Sequence, residues 1–281
     1  MREFNSGYPA DLDNRMSAAL RDDFFQKGWC VLPYDPPLKE WVDHCRPYAR
    51  GTIDHAENRQ WLRCGGTWFA GVNALHNDGQ GRIHGGPPLT GLAVDFLNRY
   101  LDTGRFVWDR AQISICYPGY PQPMDSETTR AFRYRLNRDA AHVDGLLPEG
   151  EDRRRFLREH HAFILGIPLV EYGKNAAPFV IWEGSHELVR ERFQTVFHGI
   201  PPDRWRDMDI TESYHALRKT IFERCQRTIV HCNPGEAYLA HRLSLHGISP
   251  WQSGVTGSSE GRMICYFRPE LGEPAMWLNN S

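Results

Sequence analysis

The pattern of apolar and polar positions changes character about a third of the way along the chain. Residues 11–27, DLDNRMSAALRDDFFQK, carry apolar side chains at helical spacing and stop at Gly28, a residue suited to the left-handed turn that ends a helix. GWCVLPY then reads as a short strand. A second helical stretch, LKEWVDHCRPYAR, contains Pro47, which predicts an end or a kink near Cys45. Residues 51–88 are rich in Gly, Asn, Asp and Trp and read as an elaborated loop. LTGLAVDFLNRYL, 89–101, reads as a third helix with Thr90 as its N-cap.

From about residue 106 the apolar runs become short, β-branched and aromatic, and are bounded by Gly, Pro, Asn or Asp. AQISICYPG, AFRYRLN, AFILGIPLVEYG, APFVIW, RTIVH, EAYLAH and RMICYFRPE read as strands. DRRRFLREHH, SHELVRERF and ITESYHALRKTIFERC between them read as helices. No internal repeat, low-complexity tract or long linker interrupts the series. The expectation is one domain over 1–281: a helical and loop portion, 1–105, packed against a β-sandwich or barrel with inserted helices, 106–281.

Composition narrows the function classes. With 33 Lys and Arg against 35 Asp and Glu, the net charge of −2 gives no overall basic field, so neither nucleic acid nor an anionic membrane surface is an expected partner. The N-terminal stretch lacks the apolar core of a signal peptide, and no apolar run has membrane-spanning length, so a soluble cytoplasmic protein is expected. Seven dispersed cysteines without a C-x-x-C pair fit reduced, structural thiols.

The candidate chemistry begins at His142 and Asp144. On a strand or its extension, a spacing of two points both side chains to one face, where an imidazole and a carboxylate suit a borderline divalent cation. Two histidines and one carboxylate on one face of an octahedron leave three positions open, so a third ligand is sought in a distant histidine. PGEAYLAHRLSLHGISPW offers His246 before a Gly and a turn, with His241 as its rival. Arg262 opens the strand RMICYFRPE sixteen residues after His246, and its planar fork can hold a carboxylate in bidentate fashion; Arg268 is the fallback. HND at 76–78 has the same His-x-Asp spacing but lies in turn-forming sequence and reads as solvated loop.

These stretches, in this order, resemble the phytanoyl-CoA dioxygenase-like family of iron(II)- and 2-oxoglutarate-dependent oxygenases: QKGWCVLPY, HVD at 142–144, NAAPFVIWEGSHE at 175–187, PGEAYLAHRLSLHGIS and GRMICYF, together spanning roughly 26–268. The resemblance implies a mainly β fold with flanking helices around a double-stranded β-helix, the jelly-roll, cupin-like core. It implies His142, Asp144 and His246 as iron ligands, Arg262 on the distal carboxylate of 2-oxoglutarate, and dioxygen as co-reactant. It implies hydroxylation of a small molecule driven by oxidative decarboxylation of 2-oxoglutarate to succinate and carbon dioxide. Because Asp144 is present, hydroxylation is favoured over halogenation, where related enzymes replace that carboxylate.

Gln112 and Ser114, and Tyr134 or Arg135 on the strand expected before His142, have a claim to face the barrel and bind cosubstrate or substrate. Trp68, Phe69 and Trp182 could wall a substrate or simply pack the core. His241 reads as structural, His160 and His161 as helix C-caps, and His186 as lining the pocket entrance or packing a turn. Two other readings stand beside the oxygenase: a cupin-type metal-dependent dioxygenase without 2-oxoglutarate, which has no need of Arg262, and a non-catalytic binding protein on the same fold. Oligomeric state and substrate identity stay open at this level.

Overall fold

The computed structural model describes residues 10–101, 107–125, 127–255 and 260–279. The helices are α1 (Ala10–Lys27), α2 (Pro36–Gly51), α3 (Leu92–Tyr100), α4 (Thr129–Asn137), α5 (Ser185–Val196) and α6 (Thr211–Arg224). The strands are β1 (Trp29–Leu32), β2 (Leu62–Arg63), β3 (Trp68–Gly71), β4 (Gln112–Cys116), β5 (Leu146–Glu149), β6 (Arg154–Leu157), β7 (Phe163–Pro168), β8 (Phe179–Trp182), β9 (Arg227–Val230), β10 (Ala237–His241), β11 (His246–Ile248) and β12 (Arg262–Phe267). No helix among the described residues is long and apolar enough to cross a membrane.

Two antiparallel sheets carry the architecture. The larger runs β1-β10-β7-β12-β4-β3-β2 and the smaller β11-β8-β9. Because side chains alternate across a strand, each sheet sends one set inward and one outward. Tyr238, Ile164, Ile264, Tyr266 and Cys116 of the larger sheet join Phe179, Ile181 and Val230 of the smaller in one buried inner cluster. Leu239, Leu165, Met263, Cys265 and Phe267 face the other way, into a second core shared with the helices. Gly166 makes room inside: a β-carbon there would lie 2.2 Å from the Tyr238 ring.

Several expectations need correction, each because a tertiary or capping term outweighs the local pattern. α2 runs straight through Pro47. Interior proline costs about 3 kcal/mol, but Leu38, Trp41, Val42, Cys45 and Ala49 are buried on one face, and each large apolar side chain recovers about 1.5–3 kcal/mol. AFRYRLN is not a strand but α4, nucleated by Thr128, whose hydroxyl accepts from the Ala131 N–H at 3.2 Å. DRRRFLREHH is not a helix: β6 pairs with β5, its Arg155 N–H donates to the Thr211 hydroxyl, and its Arg155 carbonyl accepts from the Ile210 N–H. α3 is capped not by Thr90 but from a distance, Asp35 accepting from the Leu92 N–H at 2.9 Å.

The 1–105 portion is also less separate than expected. Its strands β1, β2 and β3 are members of the larger sheet, on both flanks of the later strands. The expected boundary near 105 falls on 102–106, outside the described residues. The loop expected over 51–88 holds β2, β3 and two short 3-10 turns. Within it His76 is exposed, and the Asp78 carboxylate caps its own turn at the Gln80 and Arg82 N–H groups.

Candidate metal centre

His142 and Asp144 lie on a bridge rather than a strand. Asp139 and Ala140 have positive φ, 54° and 52°, and the backbone then meets β11 in a single antiparallel pair, with His142 N–H to His246 O at 2.8 Å and His246 N–H to His142 O at 3.0 Å. That pair sets the two imidazoles side by side, ring centroids 4.6 Å apart. Asp144 follows at the spacing of two and completes a group whose ligand atoms all lie within 4.8 Å of one another.

The proton positions decide what this group wants. His142 Nδ1 faces the Ala140 carbonyl at 3.1 Å and His246 Nδ1 the Ser244 carbonyl at 2.9 Å. A carbonyl only accepts, so each ring commits its Nδ1–H there and turns Nε2 towards the site. Those two Nε2 atoms stand 3.2 Å and 3.6 Å from Asp144 Oδ1. Two imidazole nitrogens and a carboxylate oxygen thus converge on one point, a donor set that suits a cation.

Electrostatics keep the set ready. Asp144 is 5% exposed; burial alone would raise its carboxyl, but Arg268 and the two imidazoles hold it well below the usual carboxylate range. His142 has a side chain 47% exposed at the mouth of the site, and crowding by surrounding protein pulls its imidazole down despite Asp144. The ring is therefore neutral, as a ligand must be.

The two carboxylate oxygens have separate partners. Oδ1 faces the histidines, while Oδ2 accepts from Arg268 Nη1 at 3.2 Å. Arg268 is anchored in turn: its N–H meets the Asp109 carboxylate at 3.2 and 3.3 Å, and its carbonyl accepts from His161 Nδ1 at 2.7 Å. His161 Nε2 faces Glu159 at 3.0 Å, so both ring nitrogens meet acceptors, an arrangement that favours the charged imidazole. Burial opposes that charge, yet Glu159 and Asp144 outweigh it and raise the imidazole. This replaces the expected helix cap at His160 and His161, where no helix forms.

Arg262 sits elsewhere in the barrel. It is 0% exposed, on the inward face of β12, opposite Cys116 of β4; four pairs along, Tyr266 faces Gln112. Its Nη2 lies 3.4 Å from the Tyr266 hydroxyl and its guanidinium 5.5 Å from the Tyr172 ring centre, while Nε and Nη1 have no partner. From the other side, His246 stacks on Phe179 at 5.3 Å, and Phe179 meets the Tyr238 ring, tilted by 34°, at 4.8 Å; Tyr238 hydrogen-bonds Tyr266 at 2.6 Å. One aromatic wall thus links the His-Asp-His group to the partly unpartnered arginine.

The remaining candidates separate cleanly. Gln112 and Ser114 share the inward face with Arg262, and the Trp68 indole donates to Ser114 at 3.1 Å. Tyr134 does not line the barrel: it sits on α4 and packs against the outer core. Phe69 and Trp182 are outer-core residues. His241 is buried with its Nδ1 accepting from the Leu243 N–H, and His186 is buried against the Phe25 carbonyl. All seven cysteines are free thiols. Sequence reasoning missed Tyr214 and Arg218 of α6 as neighbours of the site, since no local pattern ties them to residue 142.

Gly247 allows the close approach on which the group depends. A β-carbon there would fall 2.2 Å from the Asp139 carbonyl oxygen and 3.2 Å from Ala141 Cα, both backbone atoms. Gly247→Ala must therefore displace the segment leading to His142, and is expected to weaken Co(II) binding about tenfold or more in a spectroscopic titration. A titration matching the unsubstituted protein would show that this approach does not set the ligand spacing.

No protein-family model matches the sequence, and no curated protein matches it significantly. Among solved structures the chain is similar to the non-haem α-ketoglutarate-dependent carbocyclase SnoK from nogalamycin biosynthesis, at 15% identity and a TM-score of 0.52 over 90% of this chain and 83% of that one. It is also similar to EvdMO1, at 12% identity and a TM-score of 0.50 over 91% of this chain and 50% of that one. The fold is a double-stranded β-helix. Identities this low speak to the fold, and the site must be argued from its own chemistry.

Proposed function

We propose that this chain is a mononuclear non-haem iron(II)- and 2-oxoglutarate-dependent oxygenase acting on a small organic molecule, with hydroxylation as the expected outcome. The observation that carries the reading is the convergence of His142 Nε2, His246 Nε2 and Asp144 Oδ1, with both Nδ1 protons already committed to backbone carbonyls. Two imidazoles and one carboxylate suit iron(II) and leave open positions for reactants. The fully buried, half-unpartnered Arg262 fits a carboxylate that brings its own negative charge into the barrel. Likeness of fold to an α-ketoglutarate-dependent enzyme supports the same cosubstrate.

On this reading His142, Asp144 and His246 would hold the metal, which supplies oxygen activation coupled to decarboxylation of 2-oxoglutarate to succinate and carbon dioxide. The chain's own part is positional. Arg262 would bind the distal carboxylate, and Phe179, Tyr238 and Tyr266 would form an aromatic wall beside it. Arg268 occupies the second oxygen of Asp144 and leaves Oδ1 turned to the histidines. SnoK is a carbocyclase, so the fold serves outcomes other than hydroxylation as well. Membership of the phytanoyl-CoA dioxygenase-like group, a single-domain organisation and a cytoplasmic location complete the proposal. The cupin-type reading without 2-oxoglutarate leaves Arg262 without a purpose.

Anaerobic titration of the apoprotein with iron(II) and then 2-oxoglutarate tests the reading. A visible charge-transfer band is expected in the unsubstituted protein, absent in His142→Ala. Iron binding without a band on adding 2-oxoglutarate would favour the direct dioxygenase; no iron binding would favour a non-catalytic relative.

A further inference from the structure

The segment bearing two of the three ligand atoms lacks the ladder of hydrogen bonds a strand would have. Beyond the one pair with His246, the peptide groups flanking His142 are held by side chains from the outer layer. The Ala141 carbonyl accepts from the Tyr134 hydroxyl at 2.7 Å, and the Val143 N–H donates to the Tyr214 hydroxyl at 3.0 Å. One tyrosine belongs to α4 and the other to α6. Arg218, one turn beyond Tyr214, joins them: its Nη1 donates to the Tyr134 hydroxyl at 2.9 Å, and its guanidinium lies 4.9 Å from the Tyr134 ring centre and 4.7 Å from that of Tyr214.

We propose that Tyr134, Arg218 and Tyr214 form a clamp that fixes the separation of His142 from Asp144 and thereby sets the affinity and geometry of the metal site. All three are positioning residues, acting through the backbone at 141 and 143; the inference rests on the metal-centre reading above. The geometry supports it in two ways. The clamped groups are the carbonyl just before His142 and the N–H just after it, so slack in either bond rotates that residue directly. Both phenols also stay protonated: burial pushes Tyr134 up to about 12 and raises Tyr214 as well, so the hydrogen bonds persist across the working range of pH.

The clamp is accessible to perturbation. Arg218 is only partly buried and lines an open groove between α4 and α6 with Arg138, His215, Lys219 and Phe222, so its loss need not open the core. Tyr134→Phe and Tyr214→Phe keep the rings and remove only the hydroxyls.

The test is Co(II) titration of the full chain, reading both the dissociation constant and the d–d absorption bands, beside thermal unfolding of the metal-free protein. Each of Tyr134→Phe, Tyr214→Phe and Arg218→Met is expected to weaken Co(II) binding about 10- to 100-fold and to shift the bands. Because Arg218 acts through Tyr134, the double variant Tyr134→Phe/Arg218→Met should lose less than the product of the two single losses. Should Tyr214→Phe fail to fold, Arg218→Met and Tyr134→Phe carry the test. Variants that melt lower but keep the affinity and bands of the unsubstituted protein overturn the clamp and leave the metal centre standing. An unsubstituted protein that binds no Co(II) or iron(II) overturns both.

Discussion

Arg262→Met is expected to melt at a higher temperature than the unsubstituted protein and to lose its response to 2-oxoglutarate. A guanidinium at 0% exposure with Nε and Nη1 unpartnered, and with no ion pair among the described residues, leaves a desolvation cost of several kcal/mol uncompensated. Its surroundings are Tyr172, Tyr238, Tyr266 and Cys116, and burial raises the Tyr172 phenol and pushes the Cys116 thiol up to about 12, so neither is an anion at neutral pH. Methionine fills much of the same volume without a charge. A gain of about 1 kcal/mol or more, roughly 2–4 °C per kcal/mol for a chain of this size, is the expected result. In the unsubstituted protein with metal, 2-oxoglutarate at about 100 times its dissociation constant should add about 2.7 kcal/mol, and in Arg262→Met nothing. Thermal unfolding with and without cosubstrate reads both arms. A variant that melts lower and still responds would mean that Arg262 is a structural cation with an unseen partner.

Asp144→Ala carries the opposite pair of effects. It removes the only carboxylate of the ligand group and is expected to abolish measurable metal binding. It also strands Arg268, whose side chain is only 21% exposed, and breaking a buried pair from one side costs about 3 kcal/mol. The pH dependence has a definite sign. Asp144 is held below its ordinary value in the folded state, so its contribution is complete above the unfolded value of about 3.9 and is lost as pH falls through the folded one. Denaturant unfolding of metal-free protein should therefore show the gap between Asp144→Ala and the unsubstituted chain wide at pH 7 and closing below about pH 4. A gap of equal size at pH 3 would mean that lost packing, not charge, accounts for the cost.

What was legible in the sequence follows from range. The inner strands β4, β7, β8, β10 and β12 were readable because burial on both faces writes a mostly apolar and β-branched run into each. His142, Asp144 and His246 were readable because a spacing of two and a His-Gly turn are local features, even though their meeting is not. AFRYRLN misled because its alternating aromatic and basic residues have a strand's period, while one hydroxyl at Thr128 decides for a helix. DRRRFLREHH misled because its charges have helical spacing, while pairing with β5 and with the start of α6 decides for a strand. Tyr134 followed α4 out of the barrel.

The sequence by itself thus determined the class of fold, the identity of the three converging residues and the presence of an arginine on the last inner strand, since each depends on residue type and short spacing. Only the tertiary structure decided that two histidines turn Nε2 to the site while their Nδ1 protons are tied to carbonyls, that Arg268 holds Asp144, and that Arg262 is buried inside with Nε and Nη1 unpartnered. It also decided that α4 and α6 clamp the ligand segment. Those facts rest on contacts between residues up to 124 positions apart, and the orientation of a ring or a guanidinium is set by what folding brings against it.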